Sequence, residues 1–171
     1  MPTTRNLTEL GKLELARVTL SNARTNSRIS ELFIKNGISE DILDEGSRLL
    51  DTAHQAFDYA ERRKKLRSRA YASFQKKLVM LQQEFAKDRK KANIVFVSDD
   101  GAREKLELSM RCARTYVKLI GMIKSFYATI DKDKDLAGQM ARLGVTSDHV
   151  KAMLSTADKV EQLRANYINE K

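Results

Sequence analysis

Tyr71-Ala72-Ser73-Phe74-Gln75-Lys76-Lys77-Leu78-Val79-Met80-Leu81-Gln82-Gln83-Glu84-Phe85 is the stretch that decides the fold. Tyr71, Phe74, Leu78, Leu81 and Phe85 recur alternately three and four residues apart. That is the seven-residue period of a helix packed along one seam. The same register extends upstream through Leu43, Gly46, Leu50, Ala53, Phe57 and Ala60, and downstream through Ala92 and Val95. Neither Gly nor Pro occurs between Gly46 and Gly101, so nothing punctuates the pattern. The spacing predicts one continuous helix over 39–97, about 85–90 Å long at ~1.5 Å per residue, which makes the protein a rod. Lys64, Arg67 and Asp88 fall on the seam as polar exceptions. Lys64 and Arg67 read either as a loosened stretch whose long stems reach outward, or as a break that fixes register or bends the helix.

Outward from this spine the remaining helices follow from their end signals. Asn6-Leu7-Thr8-Glu9 has the form of a capping box and opens a helix over about 6–35, closed by Asn36-Gly37. Ser39 is an N-cap candidate for the long helix, with Glu40, Asp41, Asp44 and Glu45 in its first turns, where the helix dipole favours acids. Val97-Ser98-Asp99-Asp100-Gly101 is a turn. A helix over about 101–130 follows, with Leu106, Met110, Ala113, Tyr116, Val117, Ile120, Ile123, Tyr127 and Ile130 on a wide apolar face. A short helix over about 135–142 and a last one over about 147–171 complete the chain. The only proline is Pro2. The expected fold is all-α: one domain over 1–171, an elongated antiparallel bundle of about four helices with one very long coiled-coil-like member.

The charge is as uneven as the apolar pattern. Residues 62–91 hold twelve bases against Glu84 and Asp88, a net +10, while the whole chain carries +9. Residues 31–61 hold eight acids against Lys35 and Arg48, a net −6. The long helix therefore runs from acidic to basic, the order its own dipole prefers. Such a stripe is a solvated face, a match for an antiparallel copy of the same helix, a surface for an acidic partner, or a phosphate-binding surface on nucleic acid or an anionic membrane. The candidate residues for a partner or polyanion are Arg62, Arg63, Lys65, Arg69, Lys76, Lys87, Lys90 and Lys91. Tyr71 and Phe74 lie inside the stripe, but their seam positions point to packing rather than to stacking on bases. Because a 59-residue helix outruns its partners, any uncovered seam is a candidate interface. The residues in question are Tyr71, Phe74, Leu78 and Leu81.

Composition narrows the chemistry. One cysteine, Cys112, excludes an internal disulfide framework and reads as a quiet thiol in helical sequence. The start of the chain has no apolar signal region and no run reaches membrane-spanning length, so a cytoplasmic setting is expected. His54 and His149 are the only histidines and no Glu-x-x-His motif accompanies them. His54 is expected on the flank of the seam and His149 at the surface. The seven glycines are isolated, so no phosphate-cradling loop is present. No metal, no cofactor and no enzymatic activity are expected.

One motif recurs. Phe33-Ile34-Lys35-Asn36-Gly37-Ile38-Ser39-Glu40-Asp41 returns as Met140-Ala141-Arg142-Leu143-Gly144-Val145-Thr146-Ser147-Asp148, offset by 107 positions, and Leu43/Val150 and Asp51/Asp158 keep the offset. This is either a generic helix–Gly–cap–helix corner or a duplicated half. Gly37-Ile38-Ser39 with Leu43, and Gly144-Val145-Thr146 with Val150, resemble the repeated corner of a group of uncharacterised bacterial long-helix bundle proteins. The resemblance implies a four-helix bundle and no activity. The sequence thus points to a non-enzymatic structural, adaptor or assembly protein that works through helix surfaces. It would be a homo-oligomer or the partner of another helical protein, with binding of nucleic acid or an anionic membrane through residues 62–91 as the alternative.

Overall fold

The unpunctuated heptads form one helix. The computed structural model describes residues 7–170, whose regular elements are all helices. In order they form α1 (Glu9–Thr25), α2 (Ser27–Lys35), α3 (Glu40–Val95), α4 (Asp100–Lys105), α5 (Tyr116–Lys132), α6 (Lys134–Ala141) and α7 (Ser147–Asn169). α3 has 56 residues and passes through Lys64 and Arg67 without a break. The chain packs as two compact units, one up to Lys65 and one from Leu66 onward. No helix among the described residues is long and apolar enough to cross a membrane.

The N-terminal unit contains α1, α2 and the first part of α3. Asn6 lies outside the described residues. Thr8 caps α1, its hydroxyl accepting from the Gly11 N–H at 3.1 Å, while Glu9 is inside the helix and holds Lys12 at 2.8 Å. The single helix expected over 6–35 is broken at Asn26, whose backbone is extended and whose side chain caps α2. Thr25-Asn26-Ser27 explains the break: short polar side chains compete for backbone groups and favour caps over helix interiors. α1 lies along the start of α3. A β-carbon added at Gly46 would stand 3.1 Å from the Leu20 side chain, so this glycine permits the close approach. Arg24 ties the pair together through Asp44 at 2.5 Å and Glu40 at 3.6 Å. Few side chains are covered, however. Ala23 and Leu43 are the buried residues of this unit, and Leu10, Leu32 and Leu49 are more than half exposed.

The C-terminal unit has a true core. The seam residues Phe74, Leu81, Phe85 and Ala92 of α3 are buried against α5 and α7. At the end of α3 the register slips, and Phe96 rather than Val95 is fully buried. The helix expected over 101–130 exists only as α4 and α5, with residues 106–115 non-helical between them. Leu106 and Leu108 are both buried, which two positions on opposite sides of a helix cannot achieve together. Glu107 between them has φ 50°, the left-handed region. Met110 and Val117, expected on the buried face, are 57% and 71% exposed. Asp133 breaks α5 from α6, its carboxylate accepting from the Asp135 and Leu136 N–H groups and from Lys105.

The two corners singled out by the repeat have the same geometry. Gly37 and Gly144 have φ +77° and +81°. Ile38 N–H donates to Phe33 C=O at 2.9 Å, and Val145 N–H donates to Met140 C=O at 3.1 Å, each spanning a helix end. Nothing crowds the α-carbon of Gly144, so an alanine there meets only backbone strain. Gly144→Ala is expected to cost the C-terminal unit about 1–2 kcal/mol, read as a lower urea midpoint at unchanged slope.

Candidate functional site

The bases of the stripe differ in what they touch. Arg62, Lys65, Arg69, Lys76 and Lys90 are exposed, and none has an acidic partner among the described residues. Arg63 is half-buried. Lys87 is held by Glu84 at 2.7 Å, and that hydrogen bond raises its pKa. Lys91 donates to Asp88 Oδ1 at 3.0 Å. Within the stripe, Lys64, Lys87 and Lys91 are thus held by acids of their own helix, while Arg62, Lys65, Arg69, Lys76 and Lys90 are not.

Arg89, absent from the candidate set, makes the most contacts of any base in the stripe. Its guanidinium donates to the carbonyls of Glu107 at 2.7 Å, Leu108 at 3.2 Å and Met110. These carbonyls have left the helix ladder, and a forked cation satisfies several of them at once. Arg89→Ala is expected to cost about 2 kcal/mol and to speed amide exchange across residues 106–115. Arg89→Lys should recover little of it, because an ammonium cannot reproduce the fork.

The candidate seam is also redistributed. Phe74 is buried, with its ring 5.7 Å from Tyr116 and 6.5 Å from Tyr167, and Leu81 is buried as well. Leu78 is half-buried against the same core. These three are covered by their own chain, which corrects the expectation that they form an open interface. Tyr71 is 46% exposed beside Tyr167. Upstream, in the N-terminal unit, no residue of α3 after Leu43 is buried, though Leu50 and Phe57 are partly covered. A groove of about 650 Å³ opens there between α1 and α3, walled by Leu13, Ala16, Leu20, Leu49, Leu50 and Ala53.

Among the described residues Asp88 is the one buried charged side chain, and the sequence marks it only as a seam exception. It is fully buried. Its Oδ2 accepts from the Tyr127 hydroxyl at 2.8 Å and lies 2.6 Å from His149 Nε2, while Oδ1 takes Lys91. His149, expected at the surface, is half-buried in the first turn of α7. Burial, then the adjacent carboxylate, push the Tyr127 phenol above its usual pKa. Donors on α3, α5 and α7 thus converge on one carboxylate and join those helices.

His54 is half-buried on α3. Cys112 is exposed, in the non-helical segment rather than in a helix. Among the described residues, no group of three or more His, Cys, Asp or Glu side chains could hold a metal ion. Comparison with protein-family models, with curated proteins and with solved structures finds no match.

Proposed function

We propose that this is a non-enzymatic assembly or adaptor protein that acts through its helix surfaces and self-associates, its helices working as antiparallel bundles. The observation that carries the reading is the seam of α3 from Asp44 to Lys65, which has no buried residue, in a unit whose buried residues among those described are Ala23 and Leu43. Isolated helices are marginal in water, and helices in proteins draw most of their stability from tertiary packing. Apolar side chains left open on this scale are a feature of surfaces that another helix covers.

A second reading has its own support. The N-terminal unit has Arg62 and Lys65, and the C-terminal unit Arg67 and Arg69, as exposed cations without acidic partners among the described residues, and such cations are what phosphate binding requires. Light scattering coupled to size exclusion, at low and high salt and with nucleic acid added, separates the two. A mass above one chain without nucleic acid is the expected result. A strictly monomeric protein overturns self-association, and a monomer that co-elutes with nucleic acid only at low salt selects the second reading.

A further inference from the structure

In the C-terminal unit a concavity of about 390 Å³ lies between α3, the start of α5 and the non-helical segment. Its apolar wall comes from the buried Phe85 and Leu119, with Ala86 and Ala113 beside them. Its polar groups are few. Lys90 is exposed, and neither it nor Gln82 has a partner among the described residues. The Cys112 thiol stands exposed among the lining residues. The volume falls within the range of small-molecule sites, and an apolar cleft with a small number of polar groups is their usual make-up. The cleft is also pre-formed. Arg89, one of its lining residues, fixes the carbonyls of Glu107, Leu108 and Met110, so the segment carrying Cys112 and Ala113 is held in place.

We propose that this cleft binds a small amphipathic anion: an apolar chain or ring against Phe85 and Leu119, and a carboxylate or similar head group at Lys90. An apolar body alone would leave Lys90 and Gln82 unused, and a fully polar ligand would gain nothing from the wall. The neighbouring charge favours an anion as well. Of the two cations lining the cleft, Arg89 is engaged by backbone carbonyls, while Lys90 has no partner among the described residues.

Cys112 is the only cysteine of the chain and reports occupancy directly. The experiment follows its alkylation by iodoacetamide, read by mass spectrometry, with decanoate below its micelle concentration as the probe and decanol as the neutral control. Decanoate is expected to slow alkylation saturably by on the order of tenfold, and decanol much less, since a charged contact is lost. Lys90→Glu should weaken decanoate protection by at least about tenfold. Ala86→Trp, on an exposed position of α3, should fill the cleft and abolish protection while the circular dichroism spectrum stays helical. Three results overturn the proposal: no protection at saturating decanoate, equal protection by decanol, or protection that survives both substitutions.

Discussion

Asp88→Ala is expected to destabilise the C-terminal unit by about 3–5 kcal/mol, because it removes one partner from a buried charged cluster. Three donors lose their acceptor together: the Tyr127 hydroxyl, His149 Nε2 and Lys91 Nζ. Lys91 is partly exposed and can turn to water, whereas the Tyr127 hydroxyl is fully buried and cannot. At the usual conversion this is a fall of on the order of 15 °C in midpoint temperature. Asp88→Asn should cost less, since its carbonyl can still accept from Tyr127, although its amide then faces the Lys91 ammonium. If thermal scans place the two variants together, the cost lies in shape and not in the carboxylate.

Tyr127→Phe isolates one arm of the same cluster and should cost about 1.5–3 kcal/mol, the range for a hydrogen bond to a charged group. It also carries a pH signature. Burial and then Asp88 raise the phenol's pKa in the folded state, so the fold holds the neutral phenol. That contribution is whole below the unfolded value of about 10 and is lost as pH rises beyond it. Urea melts at pH ~8 and ~10.5 should therefore show a smaller alkaline loss in the phenylalanine variant than in the parent.

Where the sequence was readable, a local signal was complete within a few residues. The heptads of α3 announce themselves at every turn, and Gly37 and Gly144 mark corners because a left-handed backbone is cheap only for glycine. Asp133 sits in a visibly charged turn. The break at residues 106–115 was not readable, because Leu106, Met110, Ala113 and Tyr116 keep helical spacing and the cause lies elsewhere. Arg89 takes up carbonyls 18 to 21 residues further along the chain. Asp88 left a trace, being the single acid at a heptad core position, yet its partners stand 39 and 61 residues away and nothing local names them. The basic stripe was legible as composition only. Composition could not show that Lys87 and Lys91 are engaged by their own helix while Arg62, Lys65 and Arg69 are free.

Phe85→Ala and Phe57→Ala make the same change at the same heptad position of one helix, and they should differ several-fold in cost. Phe85 is 2% exposed, with its ring edge-on to Phe126 at 5.3 Å and to Tyr127 at 6.3 Å. Truncating it empties a space walled by rings that cannot collapse far, so a loss of about 3–5 kcal/mol is expected, including the aromatic pairs at ~0.5–1.5 kcal/mol each. Phe57 is only partly buried in the single chain. Within one chain its removal should cost about 1–2 kcal/mol, in line with the smaller area it withdraws from solvent. If a second helix covers the upstream seam, Phe57 is buried there instead. Phe57→Ala would then lower the mass seen by light scattering and make the melting temperature of the parent, but not of the variant, rise with protein concentration. A small, concentration-independent effect at Phe57 together with a large one at Phe85 would mean that water, and no partner, covers the first half of the seam.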